Sequence, residues 1–406
     1  MLLAISSLFL FEAPKIRNVF LSQPEILPEK SSLSAAVANL RPHFLTEHFQ
    51  QPLNLLPRTN LLSFVPNWNP MKVIFNHHLP FMLTHGGTQT QIEQTKAALV
   101  QLHVTVEPLR WWDETQSGDI LHHFGRLPTH TMMAAQQKGM KVVMAPILSH
   151  LGARPPWKRF LQKLAIKSIR KIGPPGTGGA FDWDSYLLAD ANVALTSYEA
   201  SLMIEIFGAP ARRVHVMPNG VEDVFLQSQP VSRGPWLVCT AAIIEMKQVL
   251  KLAQIAVRAK TPLWIIGRAH SDTDEYAKSF FDFVRKHLQI IRYEGAVSDR
   301  QGLARIYREA RGFVLLSKWE GLSLSALEAA ACQCPLLLSD LPWAHDTFNS
   351  KATYLRHDAP LSFSADVLRR FYEAAPNLPD PPTPLSWLEV GGRLKDLYAS
   401  LCNTSR

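Results

Sequence analysis

From Met71 onward the chain alternates short apolar runs with longer amphipathic stretches, and this alternation predicts strands and helices in turn. Val73 to Phe75, Val104 to Val106, Asp119 to His122, Lys141 to Ile147, Asn192 to Thr196 and Val214 to Met217 read as strands, with helical segments between them. Pro218-Asn-Gly220 closes the last of these strands, and Gln227 to Pro235 reads as a linker. A second set then begins: Trp236 to Ala241, Leu263 to Ile266, Ile290 to Tyr293, Phe313 to Leu316 and Leu336 to Ser339. Its helices start near Lys247, Asp274, Asp299 and Ser323. Strands with no polar face that alternate with helices belong in parallel sheets covered on both sides. The fold class is therefore α/β, with two Rossmann-like doubly wound domains.

Residues 1 to 70 break this pattern. They carry prolines at 14, 24, 28, 42, 52, 57, 66 and 70, with no sustained period and no repeat. The expectation is a leader that is either a disordered extension or a mis-called start, with Met71 as the natural first residue. Met1 to Phe11 is apolar but lacks the basic start and small-residue cleavage site of a signal peptide.

Composition narrows the class. A chain of 406 residues with 47% hydrophobic and 19% charged residues is long enough for two cores and is neither disordered nor of low complexity. The net charge of +8 favours anionic partners such as nucleotide phosphates or an acidic lipid surface without singling out nucleic acid. Cys239, Cys332, Cys334 and Cys402 lack metal-ligand spacing, so reduced thiols and a cytoplasmic location are expected. No run of about 18 apolar residues is present to span a membrane.

The densest chemistry lies between Lys318 and Asp340. A buried strand, Gly312 to Ser317, runs into a loop carrying Glu320, and Ser323, Leu324 and Ser325 then open a helix of small residues that contains Glu328. The unsatisfied amides of a first helical turn hold anions. One carboxylate before the helix and one inside it can receive hydroxyls at either end of a diphosphate, which suits a nucleoside diphosphate sugar. The plain alternative is a capped helix with two solvated glutamates.

This stretch resembles the glycosyltransferase family 4 (group 1) signature, in which a Glu-Gly-hydrophobic segment leads to a second glutamate eight residues on, followed by a small-residue helix and a proline. Glu320, Glu328 and Pro335 match, while Gln333 stands where a glycine is usual. The resemblance implies a GT-B fold, two Rossmann-like domains facing a cleft, and covers most of 71 to 406. It divides the chain into a leader, 1–70; an acceptor domain, 71–228; a donor domain, 229–383; and a final helix, 384–406, that crosses back to the first domain. It further implies that Gly86 and Gly87 face the donor diphosphate, that Lys247 neutralises it, and that His122 or His123 lies near the donor sugar. Ala242 replaces the arginine the family often has there, and Arg268 is the candidate substitute.

Two other motifs carry expectations. Asp182-Trp-Asp184 looks like a metal-binding string but precedes a helix and reads as its cap, so no metal and no cofactor are expected. Trp157 to Ile172 has six cations, no acid and an apolar face. Such a helix either packs that face into the core or makes peripheral contact with an anionic membrane. The functional expectation is a retaining, metal-independent hexosyltransferase using a nucleotide sugar and a glycan or lipid-linked acceptor, with Glu320, Lys247, His122 and His123 catalytic and no nucleic acid partner. The alternative is a non-catalytic nucleotide- or glycan-binding relative. A dinucleotide oxidoreductase is excluded, because no strand leads into Gly-x-Gly-x-x-Gly.

Overall fold

The computed structural model describes residues 71–81, 86–172, 181–227, 232–271 and 273–403, so the expectation for the leader lies outside the described residues. The first domain contains β1 (Lys72–His77), α1 (Gly87–Gln101), β2 (Thr105–Pro108), β3 (Ile120–Phe124), α2 (Thr129–Gln137), β4 (Lys141–Ala145), α3 (Ser149–Gly152), α4 (Pro156–Ile172), α5 (Ser185–Leu188), β5 (Ala191–Ala194), α6 (Ser197–Glu205) and β6 (Val214–Val216), and α7 (Asp223–Leu226) follows with its Phe225 in the core of the second domain. The second contains β7 (Leu237–Thr240), α8 (Val249–Ala259), β8 (Leu263–Ile266), α9 (Glu275–Arg285), β9 (Ile291–Glu294), α10 (Arg300–Glu309), β10 (Gly312–Leu315), α11 (Leu324–Ala331), β11 (Leu336–Ser339), α12 (Pro342–Phe348), β12 (Thr353–Leu355) and α13 (Leu361–Ala374), and α14 (Trp387–Asn403) is the last described element.

Both sheets have six strands, in the orders β2-β1-β3-β4-β5-β6 and β12-β11-β10-β7-β8-β9, and every pairing is parallel. The apolar runs explain the inner strands. Every residue of β3, β5, β10 and β11 is buried, as strands covered on both faces require. The three-residue edge strand β12 was not predicted, since Thr353-Tyr-Leu355 is too short and half-exposed to stand out by pattern.

Helix α14 returns to the first domain. It packs on α1 and buries Val390, Leu394, Leu397 and Tyr398 in the first core. Its entry is fixed by the Pro218-Asn-Gly220 turn, where Val221 and Leu385 share a backbone bond of 2.9 Å. A side chain at Gly220 would place its Cβ 2.6 Å from the Trp387 nitrogen, so only glycine allows this approach.

Two sequence readings are corrected here. The apolar face of the basic helix α4 is not core: Trp157, Phe160, Leu161, Leu164 and Ile172 are exposed, and the residues it buries are Gln162 and Ile166. An amphipathic pattern shows that a helix has two faces but not which one meets the domain. Nor do Asp182 and Asp184 cap their own helix. Asp184 makes no capping bond and instead pairs with Arg170 at 3.0 Å, while Asp182 accepts the Thr129 amide at the start of α2. Both carboxylates are drawn to long-range donors that local sequence does not display.

Candidate active site

In the second sheet the strand order reverses between β7 and β10, which lie side by side. Their following loops diverge to opposite faces and leave a crevice at the carboxyl ends, the usual ligand position in such sheets. The loop after β7 brings Thr240, Ala242 and Lys247 to it, and the loop after β10 brings Glu320 and Ser323. Gly86, Gly87, Ile147, Ser149, Leu195 and Asn219 close it from the first domain. The cleft holds about 590 Å³, enough for a small-molecule ligand.

Lys247 ends a short 3-10 turn, Glu245–Lys247, that is set by left-handed Gln248 at φ 50°. The turn is tied to the opposite loop by the Lys318 amide, which donates to the Met246 carbonyl at 2.8 Å. Across this junction the Lys247 ammonium pairs with the Glu320 carboxylate, and Ser317 Oγ donates to the same carboxylate at 2.7 Å. Glu320 is therefore held in one orientation at the cleft floor. Gly267, which ends β8, has φ +153°, and a Cβ there would fall 1.9 Å from the Ala241 oxygen. That close approach keeps the β7 and β8 loops together.

Helix α11 starts at the crevice. Ser323 caps it by accepting from the Ala326 amide, and buried Ala326, Ala329 and Ala330 let it lie close to the sheet. The Leu324 and Ser325 amides precede any acceptor the helix can supply. Gly87 lies over this turn, since a Cβ on it would sit 3.6 Å from Leu324 Cδ1. Gly86 is extended, with open space around it, and neither feature demands glycine. At the far end of α11, Gln333 takes the left-handed conformation, φ 56°, where the signature has glycine.

Glu328 lines the cleft one turn deeper. Arg300 Nη2 donates to it at 2.5 Å and the Tyr307 hydroxyl at 3.3 Å. Burial pushes the Glu328 carboxyl above the usual range against the opposing pull of the Arg300 guanidinium, and burial likewise raises the Tyr307 phenol. Arg300 is braced by Glu222 at 2.9 Å and lies 4.7 Å from the Phe225 ring centroid.

Three expectations are corrected. Arg268 is exposed and does not line the cleft, although Gly267 before it and His270 after it do. The arginine that does line it is Arg300, which sequence reasoning missed. Its signal was available: a cation at the first position of a helix opposes the helix dipole and calls for a carboxylate partner. Neither His122 nor His123 lines the cleft, because β3 is an inner strand covered on both faces. His122 Nδ1 lies 2.5 Å from the Tyr398 hydroxyl on α14, and His123 packs edge-on against His78. Asn219, read only as a turn residue, reaches across the domains to the Leu322 carbonyl at 3.5 Å.

Burial first, then neighbouring histidines, pushes both imidazoles down to about 3. Each is thus neutral in the fold while the unfolded chain binds a proton below about 6.5. Their contribution to stability is complete above pH 6.5 and is lost as pH falls toward 3, by about 1.4 kcal/mol per pH unit for each. Thermal melts across pH 4 to 7 should show this decline, offset in part by Glu199, whose buried carboxyl is pushed up to about 7 and so gains stability over the same fall in pH, and His123→Phe should remove one histidine's share of the slope. An identical pH slope in the variant would refute the assignment.

Residues 235–370 match the family model for glycosyl transferases group 1. The mannosylfructose-phosphate synthase of Agrobacterium fabrum is 25% identical over 177 residues, 38% of this chain and 38% of that protein, so the match spans under two-fifths of that relative's length. Among solved structures, sucrose-phosphate synthase from Thermosynechococcus elongatus superposes with a TM-score of 0.58 at 14% identity, covering 83% of this chain and all of that one. HepE of Anabaena, solved with UDP and glucose, gives 0.53 at 11% identity, covering 81% of this chain and all of that one. Residues 235–370 thus match the group 1 glycosyltransferase family, and the described chain has the GT-B fold of two Rossmann-like domains about a cleft.

Proposed function

We propose that this protein is a retaining, metal-independent glycosyltransferase that moves a hexosyl group from a nucleoside diphosphate sugar to an acceptor hydroxyl of a lipid-linked or cell-envelope glycan. One observation carries the reading: Lys247, Glu320, the Ser323 turn and Glu328 converge on a single cleft between the two domains. The α11 amides and Lys247 receive the diphosphate, so charge developing on the departing phosphate meets fixed donors. Glu320, already oriented by Ser317, receives hydroxyls of the transferred sugar and sets its reacting carbon. Glu328, deeper in the cleft, receives the ribose hydroxyls. Retention of configuration rests on the resemblance to family 4. The four free cysteines favour a reducing, cytoplasmic setting.

The test is a panel of nucleotide sugars, headed by UDP-glucose because HepE was solved with UDP and glucose, read by thermal stabilisation and by donor turnover. One donor should raise the melting temperature and be consumed, with product of unchanged anomeric configuration by NMR. Ala242 at the position of the usual arginine favours a second reading, a binder without turnover. Stabilisation by a nucleotide sugar with neither transfer nor hydrolysis would establish that reading. Stabilisation by none would remove both.

A further inference from the structure

We propose that helix α4 seats this protein on an anionic lipid bilayer through its exposed face. The helix runs for 17 residues without an acidic side chain. Trp157, Leu161, Leu164 and Ile172 share one side at helical spacing and are 60%, 47%, 44% and 81% exposed, and Phe160 beside them is 59% exposed. Large apolar side chains turned outward over four turns forgo the burial that would normally stabilise such a helix. An apolar phase outside the domain would restore that burial.

The fold holds α4 from the other side. Gln162 and Ile166 are buried, and Arg154 Nη1 donates to Gln162 Oε1 at 2.9 Å. Arg159 donates to the Tyr198 hydroxyl. Arg170 pairs with Asp184 and donates to the Trp183 and Phe207 carbonyls, each at 2.8 Å. Both arginines therefore serve the fold. Lys158, Lys163 and Lys167 are left beside the apolar stripe, and Lys171 lies on it at its carboxyl end.

That distribution chooses the occupant. A nucleic acid would want cations across the middle of its footprint, where this helix has Trp157, Leu161 and Leu164. An interfacial helix has an apolar centre that enters the acyl boundary, lysines at its flanks that reach lipid phosphates, and an aromatic ring at headgroup depth. The helix also follows closely on Ile147 and Ser149, which line the cleft, so a bilayer on α4 would lie near the cleft mouth. A head group anchored in that bilayer could then present its hydroxyl to the donor.

The test uses the full chain and needs no nucleotide sugar, so it stands or falls separately from the reaction assigned to the cleft. The protein should sediment with vesicles containing phosphatidylglycerol at low salt, stay in solution with phosphatidylcholine alone, and release as salt rises. Lys163→Gln, Lys167→Gln and Lys171→Gln should each weaken partitioning roughly fivefold. Trp157→Ser with Leu161→Ser, both on the exposed face, should also release the protein while leaving its charge unchanged. No sedimentation with anionic vesicles at low salt would overturn the proposal. So would undiminished binding by the triple lysine variant, or equally tight lysine-dependent binding to duplex DNA. Self-association of the parent that Trp157→Ser abolishes would assign the face to a second copy instead.

Discussion

Lys247→Ala should lower turnover by roughly 10²- to 10³-fold, the range for removing a preorganised donor from a developing anion. The resemblance to family 4 implies a second cation for this task, but Ala242 contributes none here, and Arg268 is exposed. Arg300 lies in the cleft but is already committed to Glu222 and Glu328. On the proposed reading, Lys247 and the α11 amides are therefore the chief donors to the departing diphosphate among the described residues. The substitution has a second consequence, because it leaves the mostly buried Glu320 carboxylate with only the Ser317 hydroxyl of its two partners. Lys247→Arg separates the effects: it restores the charge and should recover part of the turnover, whereas exposed Arg268→Ala should change little. Steady-state kcat with the donor found by screening is the measurement. A loss of less than tenfold in Lys247→Ala would show that this ammonium does not meet the leaving group.

What the sequence disclosed follows the range of the forces involved. The strands were legible because a fully covered parallel strand is apolar along its whole length, as in Leu336–Ser339. Ser323, Glu320 and Glu328 were legible because a strand, a cap and a helix fall within a few residues of one another, so local chemistry alone aligns them. Arg300 was hidden because its partners are 28 and 78 residues away in sequence. The histidines misled for a related reason. A histidine at the end of a strand faces the cleft only if nothing covers it, and Tyr398 covers His122 from 276 residues further along. For α4 the stripe was visible, but its direction was decided by Tyr198 and Asp184, which hold the two arginines on the opposite side.

Glu328→Gln should weaken nucleoside diphosphate by about 10- to 150-fold, the equivalent of about 1.5 to 3 kcal/mol for a hydroxyl bonded to a charged acceptor. The site supports an effect of that size, since the carboxylate is buried and already has one firm donor in Arg300. An amide there offers one neutral oxygen, and its nitrogen cannot accept from either a ribose hydroxyl or the guanidinium. The fold should tolerate the change because Arg300 keeps Glu222 as a charged partner at 2.9 Å and is not left uncompensated. Glu320→Gln is the counterpart. Its carboxylate lies before α11 beside Lys247, where the transferred sugar rather than the nucleoside would reach it. Free nucleoside diphosphate should therefore bind this variant almost as it binds the parent, while turnover of the full donor falls because the reacting carbon is no longer oriented. Calorimetry with nucleoside diphosphate and kcat with the full donor would be measured on both variants. Equal losses of nucleotide affinity in the two would mean that the carboxylates do not divide the donor between them as the cleft suggests.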